Sequence, residues 1–121
     1  MSVILIWVHK DQAKLFHIKA NSIHVETVSH KGPKHLQNHA DTESFFRQLA
    51  EVLSKKDSNK WLLMGPSLSP KLFFRHLENH EPQLASKVIG VERVDQMPDS
   101  EILSVGRQFL HNYYLYQGLA N

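Results

Sequence analysis

Six consecutive apolar residues, Val3 to Val8, open the ordered pattern of the chain and are rich in branched side chains. A strand covered on both faces reads this way, so this one is predicted to lie mid-sheet. Beyond a polar turn around Lys10 to Gln12 the pattern becomes alternating, with Phe16 and Ile18 set against Leu15 and His17. After Asn21-Ser22, Ile23 and Val25 alternate with His24 and Glu26. Period-two alternation across short polar turns predicts two further strands, completing an antiparallel meander.

The stretch from about His30 to Ala40 holds Gly32, Pro33 and Asn38 and no apolar period, which predicts a loop that is long for a compact domain. Asp41 or Thr42 then caps a helix with Phe45, Phe46, Leu49, Val52 and Leu53 on one face. Lys56 to Lys60 is a polar connection and Trp61 to Met64 a fourth strand. Pro70 to about His80 is expected to form a helix burying Leu72, Phe73 and Leu77, followed by a helical turn around Gln83 to Ser86. Val88 to Val94 supplies a fifth strand, and Met97-Pro-Asp-Ser-Glu starts a terminal helix capped by Asp99 or Ser100. In that helix Ile102, Val105, Phe109, Tyr113 and Tyr116 form one stripe, and Leu103, Leu110 and Tyr114 a second. The second stripe contacts either a neighbouring helix or another copy of the chain.

The element order is β-β-β-α-β-α-β-α. Right-handed crossovers place the fourth and fifth strands beyond the first, on the side away from the meander. The predicted fold class is therefore α/β: a mixed five-stranded sheet in the order 3-2-1-4-5 with helices on both faces, the ribonuclease H-like three-layer architecture.

Size and charge narrow the partners. With 121 residues and 41% hydrophobic content, the chain can bury one modest core, so residues 1–121 are read as a single domain. Cys is absent, which excludes disulfides, thiolate catalysis and Cys-based zinc sites. No apolar run is long enough to span a bilayer, and Val3 to Val8 lacks the flanks of a signal peptide, so a cytoplasmic protein without a membrane partner is expected. The net charge of +2 decides little. Its distribution decides more, because His30-Lys-Gly-Pro-Lys-His-Leu-Gln-Asn-His39 has no acidic residue. His30, Lys31, Lys34, His35 and His39 are thus candidate contacts for nucleic-acid phosphates.

A second candidate lies in Trp61-Leu-Leu-Met-Gly-Pro-Ser-Leu-Ser-Pro-Lys71, where a buried strand feeds a helix start. Helix N-termini attract anions, and Ser67, Ser69 and Lys71 add donors. The same residues also make an ordinary helix start, with Ser69 as N-cap and Pro70 at the first helical position.

Enzymatic signals are sparse. Two-metal nucleases of this architecture need a carboxylate on the first strand, and Val3 to Val8 has none. Glu43 and Glu51 on the first helix lack evident acidic partners. No Gly-x-Ser-x-Gly elbow, Walker-type loop or His-Glu-x-x-His helix occurs. His30, His35 and His39, with Asp41 nearby, are ligand types for a borderline metal, although a solvated basic loop explains them equally. No metal or cofactor is assigned. His76 and His80, one turn apart on a helix, have the spacing to chelate a metal too, but are read as polar-face residues near a helix C-terminus. His9, His17 and His24 are read as surface or packing residues, and Trp7, Trp61, Phe45, Phe46, Phe73 and Phe74 as core.

Three stretches carry a family resemblance: Ala40-Asp-Thr-Glu-Ser-Phe-Phe-Arg-Gln-Leu-Ala50 leading to Leu62-Leu-Met-Gly-Pro-Ser-Leu-Ser-Pro-Lys71, then Leu84-Ala-Ser-Lys-Val-Ile-Gly-Val-Glu92, then Asp95-Gln-Met-Pro-Asp-Ser-Glu-Ile-Leu103. In these the chain resembles the central domain of archaeal and eukaryotic class-1 peptide release factors and of Pelota. It is also similar to small stand-alone bacterial proteins labelled translational machinery proteins. The resemblance implies work on the ribosome or on structured RNA, in translation or ribosome rescue. In release factors the loop before the first helix carries Gly-Gly-Gln. Here that loop reads Gly32-Pro33-Lys34-His35-Leu36-Gln37, so Gln37 lacks the glycine pair and peptide release by that mechanism is not expected. A non-catalytic RNA- or ribosome-binding module acting through the basic loop is the leading expectation. The alternatives are a protein-interaction or homodimerisation domain using Leu103, Leu110 and Tyr114 or an exposed strand edge, and a metal-dependent hydrolase using the loop histidines.

Overall fold

The N-terminal apolar run forms β1 (Val3–Val8), every residue of it buried, at the centre of a five-stranded sheet. The computed structural model describes residues 2–19, 22–30, 39–58 and 60–120, leaving the side chains of 39, 40 and 117–120 undescribed. β2 (Gln12–Lys19) and β3 (Ser22–Ser29) follow as the antiparallel meander. Helix α1 (His39–Ser54) crosses to β4 (Trp61–Gly65), which pairs parallel with β1. Then α2 (Ser69–His80) and the single turn α3 (Pro82–Ala85) lead to β5 (Val88–Arg93), parallel to β4. The terminal α4 (Asp99–Ala120) completes the chain. The sheet order is β3-β2-β1-β4-β5, as the crossover rule requires.

Alternation along the central strands sorts the core into two layers. Ile4, Ile6 and Val8 of β1, with Trp61 and Leu63 of β4, pack beneath Phe45, Phe46, Leu49 and Leu53 of α1 and Phe73 and Leu77 of α2. Val3, Leu5 and Trp7, with Leu62 and Met64, face Ile102 and Leu110 of α4. Side chains at even and odd positions point to opposite faces, so one unbroken apolar run supplies both layers.

Close approaches at two glycines fix how these layers meet. At Gly65, where φ is 157°, a Cβ would stand 2.1 Å from the Val8 carbonyl oxygen. Only glycine lets the end of β4 lie this close to β1. At Gly106 a Cβ would meet Leu5 Cδ1 at 2.4 Å, so α4 rests directly on the sheet. Trp7 Nε1 donates to the Val94 carbonyl at 3.3 Å, tying β1 to the residue after β5. Lys14 Nζ reaches Asp99 Oδ1 at 2.8 Å and holds the start of α4 to β2.

Several element details differ from the sequence reading. Helix α1 begins at His39, ahead of the expected Asp41 or Thr42 cap. Leu68, not Ser69, holds the N-cap position of α2, because the Leu68 carbonyl already accepts the Leu72 N–H at 2.9 Å. Likewise the Pro98 carbonyl accepts the Ile102 N–H at 3.1 Å, so α4 starts one residue before the expected cap could act. Leu72 is exposed, and the buried face of α2 runs through Ser69, Phe73, His76 and Leu77. The two stripes expected on α4 merge into one arc: Leu103 and Leu110 pack with Ile102 and Phe109, while Val105 and Tyr116 are exposed. The arc centres on Gly106, which an apolar-residue count passes over. β5 carries a bulge, since Trp61 pairs with Val88 and Leu62 with Gly90, leaving Ile89 unmatched.

Candidate functional site

Parallel strands aim their carboxyl ends in one direction, and β4 and β5 end side by side at Gly65 and Arg93. Crevices outside such ends are where α/β sheets bind ligands. A recess of about 340 Å³ lies there, lined by Ser67, Leu68, Pro70, Lys71, Val91 and Arg93. Ser67 has φ 53°, a left-handed conformation that is uncommon outside glycine and turns the chain sharply into α2. The predicted pair Ser67 and Lys71 therefore share this recess with Arg93, a cation that sequence spacing could not place. Ser69 does not line it; its side chain is buried and its N–H donates to the Pro66 carbonyl at 3.2 Å.

A smaller recess of about 170 Å³ opens at the N-terminal end of β1, lined in part by His17, Lys19, Lys55 and Lys56. Lys56 Nζ binds Glu26 Oε1 at 2.7 Å, and His17 Nε2 lies 3.5 Å from the same oxygen. The hydrogen bond from Lys56 lowers the Glu26 pKa. Burial, and then the Lys56 charge, lower that of His17 against the opposing pull of Glu26. His17 faces His24 across the strand pair, with ring centroids 5.9 Å apart.

Of the predicted basic segment, Lys31, Lys34, His35 and Gln37 lie outside the described residues, and His39 is described only as the first residue of α1. His30 directly follows β3, with its N–H donating to the Asp11 carbonyl at 2.9 Å. Its ring is 6.5 Å from that of Phe45, and its Nε2 is shielded from solvent. His30 thus anchors the start of the segment against α1.

A third cluster joins α1 to α2. His76, read from the sequence as a polar-face residue, is only 5% exposed. Its ring stacks on Phe73 at 6.3 Å with an interplanar angle of 11° and meets the edge of Phe46 at 5.8 Å. Nδ1 lies 3.4 Å from Glu43 Oε2 in the first turns of α1, and the His80 ring is 4.7 Å away, one helical turn on. Burial is the largest influence on His76 and lowers its pKa; Glu43 opposes the shift, while His80 and Arg47 reinforce it. The ring is therefore harder to protonate than a free imidazole. The sequence reading placed His76 on the polar face although it buried the neighbouring Phe73 and Leu77; the i, i+3 spacing of Phe73 and His76 was the available signal.

No protein-family model and no curated protein matches the sequence. Solved structures do match in fold. Archaeoglobus fulgidus Pelota superposes with a TM-score of 0.67 at 13% identity, over 88% of this chain and 31% of that protein. Archaeal translation termination factor aRF1 gives 0.64 at 14% identity, over 98% of this chain and 41% of its own. The chain shares a fold with part of Pelota and aRF1. Dom34 of S. cerevisiae, described as a translation termination-like factor involved in RNA quality control pathways and interacting with Hbs1, gives 0.56 at 12% identity, over 74% and 28%. This chain thus spans between 28% and 41% of the length of these proteins.

Proposed function

We propose that the chain is a non-catalytic ribosome- or RNA-associated module acting in translation or ribosome rescue. The observation that carries this reading is the shared fold, since the proteins that have it include factors described as acting in translation termination and RNA quality control. Charge placement supports it. The acid-free segment His30 to His39 supplies Lys31, Lys34, His35 and His39 as phosphate contacts, with His30 at its base. The recess at the start of α2 offers Ser67, Lys71 and Arg93 to a further phosphate. A cytoplasmic location belongs to the same reading, and among the described residues no helix is long and apolar enough to cross a membrane.

Binding of this kind is driven by counterion release and weakens as salt rises. Sedimentation of ribosomes with the protein at about 50 mM and about 200 mM salt tests it, because a multi-phosphate contact loses orders of magnitude in affinity over that range. Co-sedimentation at the lower concentration is expected, with weaker binding for Lys31→Ala/Lys34→Ala and for Lys71→Ala. The double variant should also flatten the dependence of log K on log salt by about 2. Failure to co-sediment at low salt would overturn the proposal.

The interaction-domain alternative loses part of its basis, because Leu103 and Leu110 pack into the core of this chain. Exposed apolar area on α4 instead gathers at Tyr114, Leu115 and Tyr116.

A further inference from the structure

We propose that Glu43, His76 and His80 form a binding site for one divalent transition-metal ion of the zinc class. The inference is independent of the translational reading, since it concerns a cluster between α1 and α2. One ligand atom from each of the three residues lies within 4.8 Å of the other two.

Geometry distinguishes this cluster from a plain ion pair. The 3.4 Å between His76 Nδ1 and Glu43 Oε2 is long for a charge-assisted hydrogen bond, which prefers about 2.7–2.9 Å. It matches the edge of a tetrahedron built on metal–ligand bonds of about 2.0–2.1 Å, which is about 3.4 Å. Two of the three donors are thus already spaced as ligands of one ion. The third, His80, is exposed at the end of α2, so a rotation about its side-chain bonds closes the remaining gap. Histidines four apart on one helix face are a recurring way of presenting two imidazoles to one metal.

The second observation is the state of His76 itself. It is 5% exposed, and neither ring nitrogen has a hydrogen-bond partner. Leaving a buried polar group unsatisfied is unfavourable, and buried imidazoles ordinarily donate or accept. Phe73 and Phe46 hold the ring on two sides, and both nitrogens are shielded from solvent. A bound cation would accept a nitrogen lone pair in place, on a ligand whose orientation the aromatic packing has already fixed.

Donor chemistry selects the ion. Two imidazoles and one carboxylate suit zinc, cobalt or nickel, whereas magnesium and calcium favour all-oxygen sets. With three protein donors a tetrahedral ion keeps one position for water, unlike a closed structural centre.

The test uses the whole chain without an affinity tag, titrated with Zn²⁺ by calorimetry and with Co²⁺ by visible absorption. One ion per chain and the intense bands of tetrahedral cobalt are expected. Glu43→Ala and His80→Ala, both outside the buried core, should each weaken Zn²⁺ binding by about tenfold or more. His9→Asn/His111→Asn should leave it within about twofold, because those rings lie elsewhere. Circular dichroism of each variant separates lost binding from lost folding. No binding by the wild type overturns the proposal. So does affinity undiminished in both Glu43→Ala and His80→Ala, which would mean adventitious coordination by other histidines.

Discussion

At Gly65 a single missing side chain decides whether the sheet and the candidate anion recess can form together. Gly65→Ala puts a Cβ into the Val8 carbonyl, which is backbone and cannot swing aside. A loss on the order of 3 kcal/mol is expected in denaturant unfolding, combining conformational strain with overpacking. His17 supports a second prediction at this scale. Burial and Lys56 depress its pKa below the ordinary 6.5, so the unfolded chain binds more protons than the native one between the depressed value and 6.5. Stability must then rise with pH through that window and fall as the solution is acidified below 6.5. Glu26, with a depressed carboxylate pKa, adds a loss of the same sign at lower pH. Unfolding of His17→Gln, measured from pH 7.5 to 5, should show a shallower dependence than wild type. Residues of this kind were only half legible in the sequence. Gly65 stood out beside Pro66 as a break after a strand, yet its reason is a carbonyl from β1, more than fifty positions earlier. For His76 the spacing from Phe73 was the legible part, whereas the contact with Phe46, thirty positions away on another helix, was not.

Helices and strands were more legible than their ends. Strand order followed from the crossover rule, and the cover on both faces of β1 from its unbroken apolar run. Caps are set by backbone geometry of one or two residues, and each of the caps expected for α1, α2 and α4 lay slightly too far along the chain. Helix α4 shows where an apolar stripe misleads: its buried arc centres on Gly106, and the apolar Val105 is exposed. Two effects compete in Gly106→Ala. Alanine favours the helix by about 1 kcal/mol over glycine. Its methyl would also stand 2.4 Å from the Cδ1 of Leu5, a fully buried side chain that must repack to make room. Overpacking costs about 1–3 kcal/mol, so it wins, and the variant should melt at a lower temperature than wild type despite a better helix former.

For the molecule as a whole, the two tryptophans fall in opposite layers, Trp61 beneath α1 and α2 and Trp7 against α4. If residues 1–121 fold as one cooperative unit, Trp7→Phe and Trp61→Phe variants should report superimposable fluorescence transitions in urea once each is scaled to its own midpoint. Separate transitions in one variant would mean that the layers melt independently. The sheet has two unequal borders. β5 is kinked by its extra residue at Ile89, whereas β3 keeps unbroken one-to-one pairing with β2 over all eight positions and leaves Ile23 and Val25 exposed. Whereas β5 is interrupted by its bulge, an intruding strand from another polypeptide would find a regular template along β3. Fibril growth from concentrated protein should start on that side, and a proline at an outward-facing amide of β3 should delay it.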